Sequence, residues 1–202
     1  MKLSRGEWVV LAFNALYIAA FSAYFVLIGN REFLGYIVTM LALIGLVAIV
    51  HRNVRFPMSI LWALSLWGVA HMAGGGVPVN GSVLYNLMLL PLTGGGELRI
   101  LKYDQVVHFY GFAVAAWLLW HLLRTLYPML RGTRTIYVFA ALASMGLGAA
   151  NEIVEFTAVL LIPNTNVGGY YNTALDLVFN AAGAITAMIV CALVERSRLP
   201  RG

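Results

Sequence analysis

Three pairs of polar residues fall inside or at the edge of long apolar stretches of this sequence. They are Asp104 with His108, Glu152 with Glu155, and Asp176 with Asn180. The partners of each pair are three or four residues apart, so both share one face of an α-helix. Ionisable groups within apolar helices are costly and usually functional. Half of the chain's eight acidic residues lie in these pairs, which makes the pairs the first candidates for a functional site.

The residue types of these pairs are suited to acid–base catalysis. His108 could act as a general base or nucleophile, oriented by Asp104 or Asp176. A protonated Glu152 or Glu155 could supply the acid, because neighbouring carboxylates hold their protons unequally. These five residues are therefore predicted to be catalytic, in a hydrolysis or group-transfer reaction.

The same five residues leave other functions open. An oxygen-rich set with an imidazole could bind a hard divalent cation, although the chain has no dense metal motif such as HExxH. Buried carboxylates and histidines also form proton or cation relays in transporters. Hydrogen bonding between helices, or capture of a lipid without chemistry, would use the same residue types.

The composition predicts the elements that position these pairs. Of the 202 residues, 61% are apolar and 10% charged, whereas soluble domains are about 45–50% apolar and about 25% charged. The lone Cys191 excludes a disulfide framework and a multi-cysteine metal site. We predict an all-α polytopic membrane bundle, with residues 1–202 as a single transmembrane domain.

About six apolar stretches are long enough to cross a bilayer, which takes about 20 helical residues. The predicted spans are 8–28, 33–50, 57–73, 104–127, 135–162 and 173–195. The long third loop contains Val83 to Leu92, which is too short to span and lies between the glycine runs Gly74–Gly76 and Gly94–Gly96. We interpret it as a re-entrant or interfacial segment.

Basic residues predict the orientation, because cytoplasmic loops carry an excess of Lys and Arg. With six spans, Arg31, Arg99 and Lys102 fall on one side and the other ten of the 13 basic residues on the opposite side. Both termini are therefore predicted to lie in the cytoplasm, with the chain in the cell membrane. The basic residues are spread between apolar runs, which argues against nucleic acid binding.

This orientation brings the polar pairs towards one outer cavity. The fourth and sixth spans begin outside, so their pairs lie in the first turns. Glu155 and Glu152 lie about 12 Å and about 16 Å below the outer end of the fifth span. Further residues expected at the cavity, with a role in binding substrate, are His71, Tyr103, Asn172 and Asn180.

The order of these residues resembles a known family pattern. It runs His71, Tyr103-Asp104 with His108, Glu152-x-x-Glu155, then Asp176-x-x-x-Asn180. Across roughly residues 70 to 180 the chain resembles the YjdF-like bacterial membrane proteins and, more distantly, VanZ-like proteins. The resemblance implies a role at the cell envelope, with membrane lipids or lipid-linked precursors as partners.

Overall fold

The computed structural model describes residues 3–92, 98–163 and 165–197. Within those residues the chain forms six α-helices, which confirms the all-helical prediction. They are α1 (Arg5–Ile28), α2 (Arg31–Val54), α3 (Met58–Gly76), α4 (Tyr103–Leu126), α5 (Arg134–Leu161) and α6 (Tyr170–Ser197).

Five of these helices, all except α3, are long and apolar enough to cross a membrane. α3 has 19 residues and no charged side chain, which corresponds to about 28 Å at 1.5 Å per residue. Its serines, its histidine and its terminal glycines lower its hydropathy. The protein is therefore a helical membrane protein, and the sixth crossing stays a prediction.

The first two helices form an antiparallel pair. α1 ends at Gly29, whose φ of 69° is in the left-handed region, and the side chain of Asn30 accepts a hydrogen bond from the Phe33 amide at 3.1 Å. At the far end of the pair, Oε1 of Glu7 lies 2.6 Å from Nε2 of His51. Both ends of the hairpin are thus held by polar contacts.

The segment between α3 and α4 begins with a small β-hairpin. Strands β1 (Pro78–Val79) and β2 (Ser82–Val83) pair antiparallel. Asn80 and Gly81 between them have φ values of 50° and 78°, which is the conformation that a two-residue Asn-Gly hairpin turn requires. A single 3₁₀ turn follows at Leu84–Asn86. The re-entrant or interfacial position of Val83 to Leu92 stays a prediction.

The first glycine run was predicted to lie in the loop, and this is corrected by the structure. Gly74–Gly76 forms the last turn of α3. A Cβ atom at Gly75 would overlap the ring of Phe33, and one at Gly74 would overlap the ring of Tyr85. These glycines therefore allow aromatic rings to pack against the helix end. Gly94–Gly96 lies outside the described residues.

α4, α5 and α6 pack closely around a shared core. α4 is more enclosed than any of the other four apolar helices. Gly183 of α6 lies so close to α4 that a Cβ atom would overlap the carbonyl group of Phe109. Gly148 of α5 likewise lies against the side chain of Asn180. Small residues at these crossings bring the polar pairs of three helices together.

Candidate functional site

His108 of α4 lies at the centre of a buried polar cluster. Its side chain is 8% exposed. Nδ1 is 3.0 Å from Oδ1 of Asn180 on α6. Since an amide oxygen only accepts, Nδ1 carries the proton and donates this hydrogen bond. The other ring nitrogen, Nε2, is left facing the carboxylates.

Carboxylates from α4 and α5 surround this imidazole. Nε2 lies 3.6 Å from Oδ1 of Asp104 and 3.8 Å from Oε1 of Glu155. Nδ1 lies 3.7 Å from Oε1 of Glu152. These separations are too long for hydrogen bonds but short enough for strong electrostatic interaction in a medium of low dielectric constant.

Asp176 of α6 joins the cluster through Asn172. The amide nitrogen of Asn172 donates to Oδ2 of Asp176 at 2.5 Å and to Oδ2 of Asp104 at 3.2 Å. Its amide oxygen accepts a hydrogen bond from Nζ of Lys102. Asn172 therefore links Asp176, on its own helix, to Lys102 and Asp104 at the start of α4.

Lys102, which was predicted to lie in an outer loop, is buried in the structure. Its side chain is 9% exposed, and Nζ lies 3.6 Å from Oδ2 of Asp104. Gln105 holds this segment: Oε1 accepts from the amides of Leu101 at 2.6 Å and Lys102 at 3.1 Å, and Nε2 donates to the carbonyl of Arg99 at 2.8 Å. The position of Gln105, three residues into the helix, is the sequence signal of a capping residue.

Several polar atoms of the cluster are buried without a hydrogen-bond partner among the described residues. They are both carboxylate oxygens of Glu152, Oδ1 of Asp176 and Nδ2 of Asn180. Asp176 is fully buried and Glu152 is 7% exposed. Native proteins rarely leave such atoms unpaired, so a ligand, a proton or ordered water has to satisfy them.

His71 and Tyr103, both predicted to bind substrate, make other contacts. The Tyr103 hydroxyl donates to the carbonyl of Ala70 at 3.1 Å. Nδ1 of His71 is hydrogen-bonded to the hydroxyl of Tyr85, a residue that the sequence analysis missed. Burial, and then the charge of Asp104, raise the pKa of Tyr85 well above its usual range. The hydroxyl therefore stays protonated and donates a hydrogen bond to Nδ1 of His71.

A cavity of about 720 Å³, which we call the vestibule, lies beside the cluster. Its lining residues are Arg99, Lys102, Gly168, Gly169, Tyr170, Tyr171, Asn172 and Leu175. Lys102 and Asn172 also contact Asp104, so they link the vestibule to the carboxylates. The preceding loop is held at Asn166, whose backbone amide donates to Oε2 of Glu32 at 2.7 Å.

The structure thus brings together seven of the nine predicted site residues. They are Asp104, His108, Glu152, Glu155, Asp176, Asn180 and the bridging Asn172. His71 and Tyr103 belong to a neighbouring aromatic group with Tyr85. The functional roles of all nine stay predictions.

Fold and site together define a helical membrane protein with a charged cluster enclosed by α4, α5 and α6. The chain belongs to the family described as predicted membrane protein (DUF2238), whose model matches residues 8–197. This family is the YjdF-like one, which confirms that resemblance, and the match gives no support to the VanZ-like one. No curated protein and no solved structure matches the chain.

Proposed function

We propose that this protein acts on the head groups of membrane lipids or of lipid-linked envelope precursors, by hydrolysis or transfer. The observation that supports this best is a buried histidine within 4 Å of three carboxylates, beside a vestibule lined by Arg99 and Lys102. Titratable groups that cluster beside a cleft mark a candidate catalytic site, and a histidine among carboxylates suits hydrolysis or transfer.

The charge of the vestibule favours an anionic head group. Arg99 is exposed at its wall, while Lys102 lies deeper, beside Asp104. A concave surface of one charge with apolar walls concentrates ligands of the opposite charge. A phosphate-bearing head group would enter from the bilayer and lie between these cations, while its acyl chains remain among the lipids.

The groups nearest the vestibule would carry out the proton transfers. In the proposed step, water or an acceptor hydroxyl gives its proton to the Asp104–His108 pair while its oxygen attacks phosphorus. The bond from phosphorus to the leaving alcohol breaks, and a protonated Asp176 supplies the proton that the alcohol needs. Asn172 contacts both aspartates, so it fixes the positions of the two carboxyl groups relative to each other.

The orientation is part of the proposal. We place both termini in the cytoplasm and the vestibule on the outer face, because the basic residues that predict topology concentrate on the opposite side.

Cysteine labelling tests this orientation. A Cys191→Ser background is suitable, since the chain has a single cysteine. Ser82→Cys in the hairpin is expected to react with an impermeant maleimide added outside intact cells. Met129→Cys, at an 82% exposed position in the α4–α5 loop, is expected to react only after lysis. The reverse labelling would overturn the orientation.

The chemical proposal is tested by mass spectrometry of lipids. Purified protein in vesicles of native lipid extract is expected to produce new head-group species over time. Asp104→Asn, which keeps the side-chain shape but removes the basic oxygen, is expected to lower the rate by about 10²- to 10⁴-fold, the usual contribution of a positioned acid or base. Equal product from wild type and variant would contradict the proposal.

Transport is the second candidate function, favoured by the unpartnered oxygens of Glu152. Buried carboxylates without partners are typical of proton or cation relays. The same vesicles, loaded with a pH-sensitive dye, separate the two functions. A flux driven by a pH gradient with unchanged lipid species would replace the lipid-directed proposal.

A further inference from the structure

We infer that His108, Glu152 and Glu155 form a binding site for one divalent transition-metal cation. One ligand atom from each residue lies within 4.8 Å of the other two. Two ligands bonded to one tetrahedral ion at about 2.1 Å lie roughly 3.4 Å apart. Nε2 of His108, the ring nitrogen that does not donate to Asn180, lies 3.8 Å from Oε1 of Glu155, close to that value. Oε1 of Glu152 lies 3.7 Å from the other ring nitrogen, so a rotation of the Glu152 side chain towards Nε2 would complete the site.

The partners of the other carboxylates explain why the ion belongs with the two glutamates. Asp104 and Asp176 already have Lys102 and Asn172 beside them. In the described part of the chain, Glu152 and Glu155 have no Lys or Arg in ion-pair distance, and the two glutamates are three residues apart on one helix face. A divalent cation would supply the missing positive charge.

The unpartnered oxygens of Glu152 are the second, independent observation. Glu152 is 7% exposed, and neither of its oxygens has a hydrogen-bond partner among the residues that the structure describes. A buried carboxylate in this state has to be protonated or to bind a ligand. Both oxygens are therefore available to an ion beside the imidazole.

The surrounding groups match those of metal sites in proteins. Metal-binding histidines usually donate their second ring N–H to an oxygen acceptor, and Nδ1 of His108 donates to Asn180. Asn151 donates to Oε1 of Glu155 at 2.8 Å, which orients that carboxylate. Two carboxylates and one imidazole suit Mn²⁺, Fe²⁺ or Zn²⁺ better than Ca²⁺.

The role of the ion rests on the proposed function, whereas its binding does not. With Nε2 of His108 on the ion, the carboxylate of Asp104 remains as the proton acceptor of the Asp104–His108 pair. The ion would lie beside the place where the head group reacts and would stabilise negative charge there.

The experiment measures metal binding without any lipid substrate. Full-length protein purified in detergent is stripped with a chelator and titrated with MnCl₂ or ZnCl₂. Bound metal is counted by plasma mass spectrometry, and thermal unfolding is followed in parallel. Wild type is expected to bind one ion per chain and to unfold at a higher temperature with metal than with chelator.

Matched variants locate the ion. Loss of an outer hydrogen-bonding partner typically weakens metal binding about 10- to 100-fold, so Glu152→Gln and Glu155→Gln, which remove ligands, should each weaken it by at least that much. Asp104→Asn is expected to retain one ion per chain. Glu195→Gln removes a carboxylate that pairs with Arg124 far from the cluster and should bind metal as wild type does.

Two results would overturn the inference. The first is a wild-type protein that binds no ion after titration, which would overturn the inference whatever the variants show. The second is loss of the ion in Asp104→Asn but not in Glu152→Gln, which would show that the ion binds at the aspartates. A protein that binds the ion but leaves lipids unchanged would retain this site and refute only the proposed function.

Discussion

Replacing Lys102 with methionine is expected to lower the free energy of unfolding by about 3 to 5 kcal/mol, the usual cost of breaking a buried ion pair. The side chains of Lys102 and Asp104 are 9% and 13% exposed, so water compensates little for the lost charge. Methionine keeps the length and apolar stem of lysine but leaves Asp104 among other carboxylates. Thermal and denaturant unfolding in detergent would measure the loss.

A second substitution separates charge from packing in this prediction. Adding Asp104→Asn to Lys102→Met removes the unpaired carboxylate and is expected to restore most of the stability. Arg124→Met serves as the matched control, because Arg124 pairs with Glu195 at 3.4 Å with both side chains partly exposed. A pair of that kind contributes about 0–1 kcal/mol. If both lysine and arginine variants lose equal stability, the buried pair has no special role.

Replacing His108 with glutamine is expected to abolish detectable turnover of lipid head groups while the protein stays folded. Loss of a positioned general base lowers rates by about 10²- to 10⁴-fold. Glutamine is similar in reach and can still donate a hydrogen bond to Oδ1 of Asn180, the contact that His108 makes at 3.0 Å. Product formation by mass spectrometry and the melting temperature should be measured on the same preparation.

His121→Gln is the matched control for this substitution. His121 lies on the same helix, is partly buried, and has an Nε2 without a hydrogen-bond partner in the described structure. It contacts Phe56 near the other end of the bundle, away from the cluster. If His108→Gln lowers the melting temperature sharply and product formation only in proportion, the histidine serves helix packing rather than chemistry.

The prediction that polar groups of separate helices meet in one place follows from patterns within single helices. Spacings such as Asp104 to His108 place two side chains on one helix face, and apolar runs limit where helices can lie. Helix ends were predicted less well. α3 runs to Gly76 because the glycines there accept aromatic rings, which depends on side chains such as Phe33, far away in sequence.

The burial of Lys102 and the contact of Asp104 with Asn172 could not be predicted from the sequence around Asp104. Lys102 is two residues from Asp104 but belongs to a segment predicted as an outer loop, and Asn172 is 68 residues away from Asp104 along the chain. Their meeting requires α4 and α6 to approach as closely as Gly183 allows. In the same way, Tyr85 reaches His71 only because the hairpin after α3 turns back over the helix end.

The amino-acid sequence alone determined that this protein is a helical membrane protein and that ionisable residues lie within its apolar helices. Those properties follow from composition and from spacing along single helices, which are local. Only the tertiary structure decided which carboxylates contact Lys102 and Asn172 and which have no hydrogen-bond partner in the described part of the chain. That difference depends on distances between helices, which are set by the packing of small residues at their crossings.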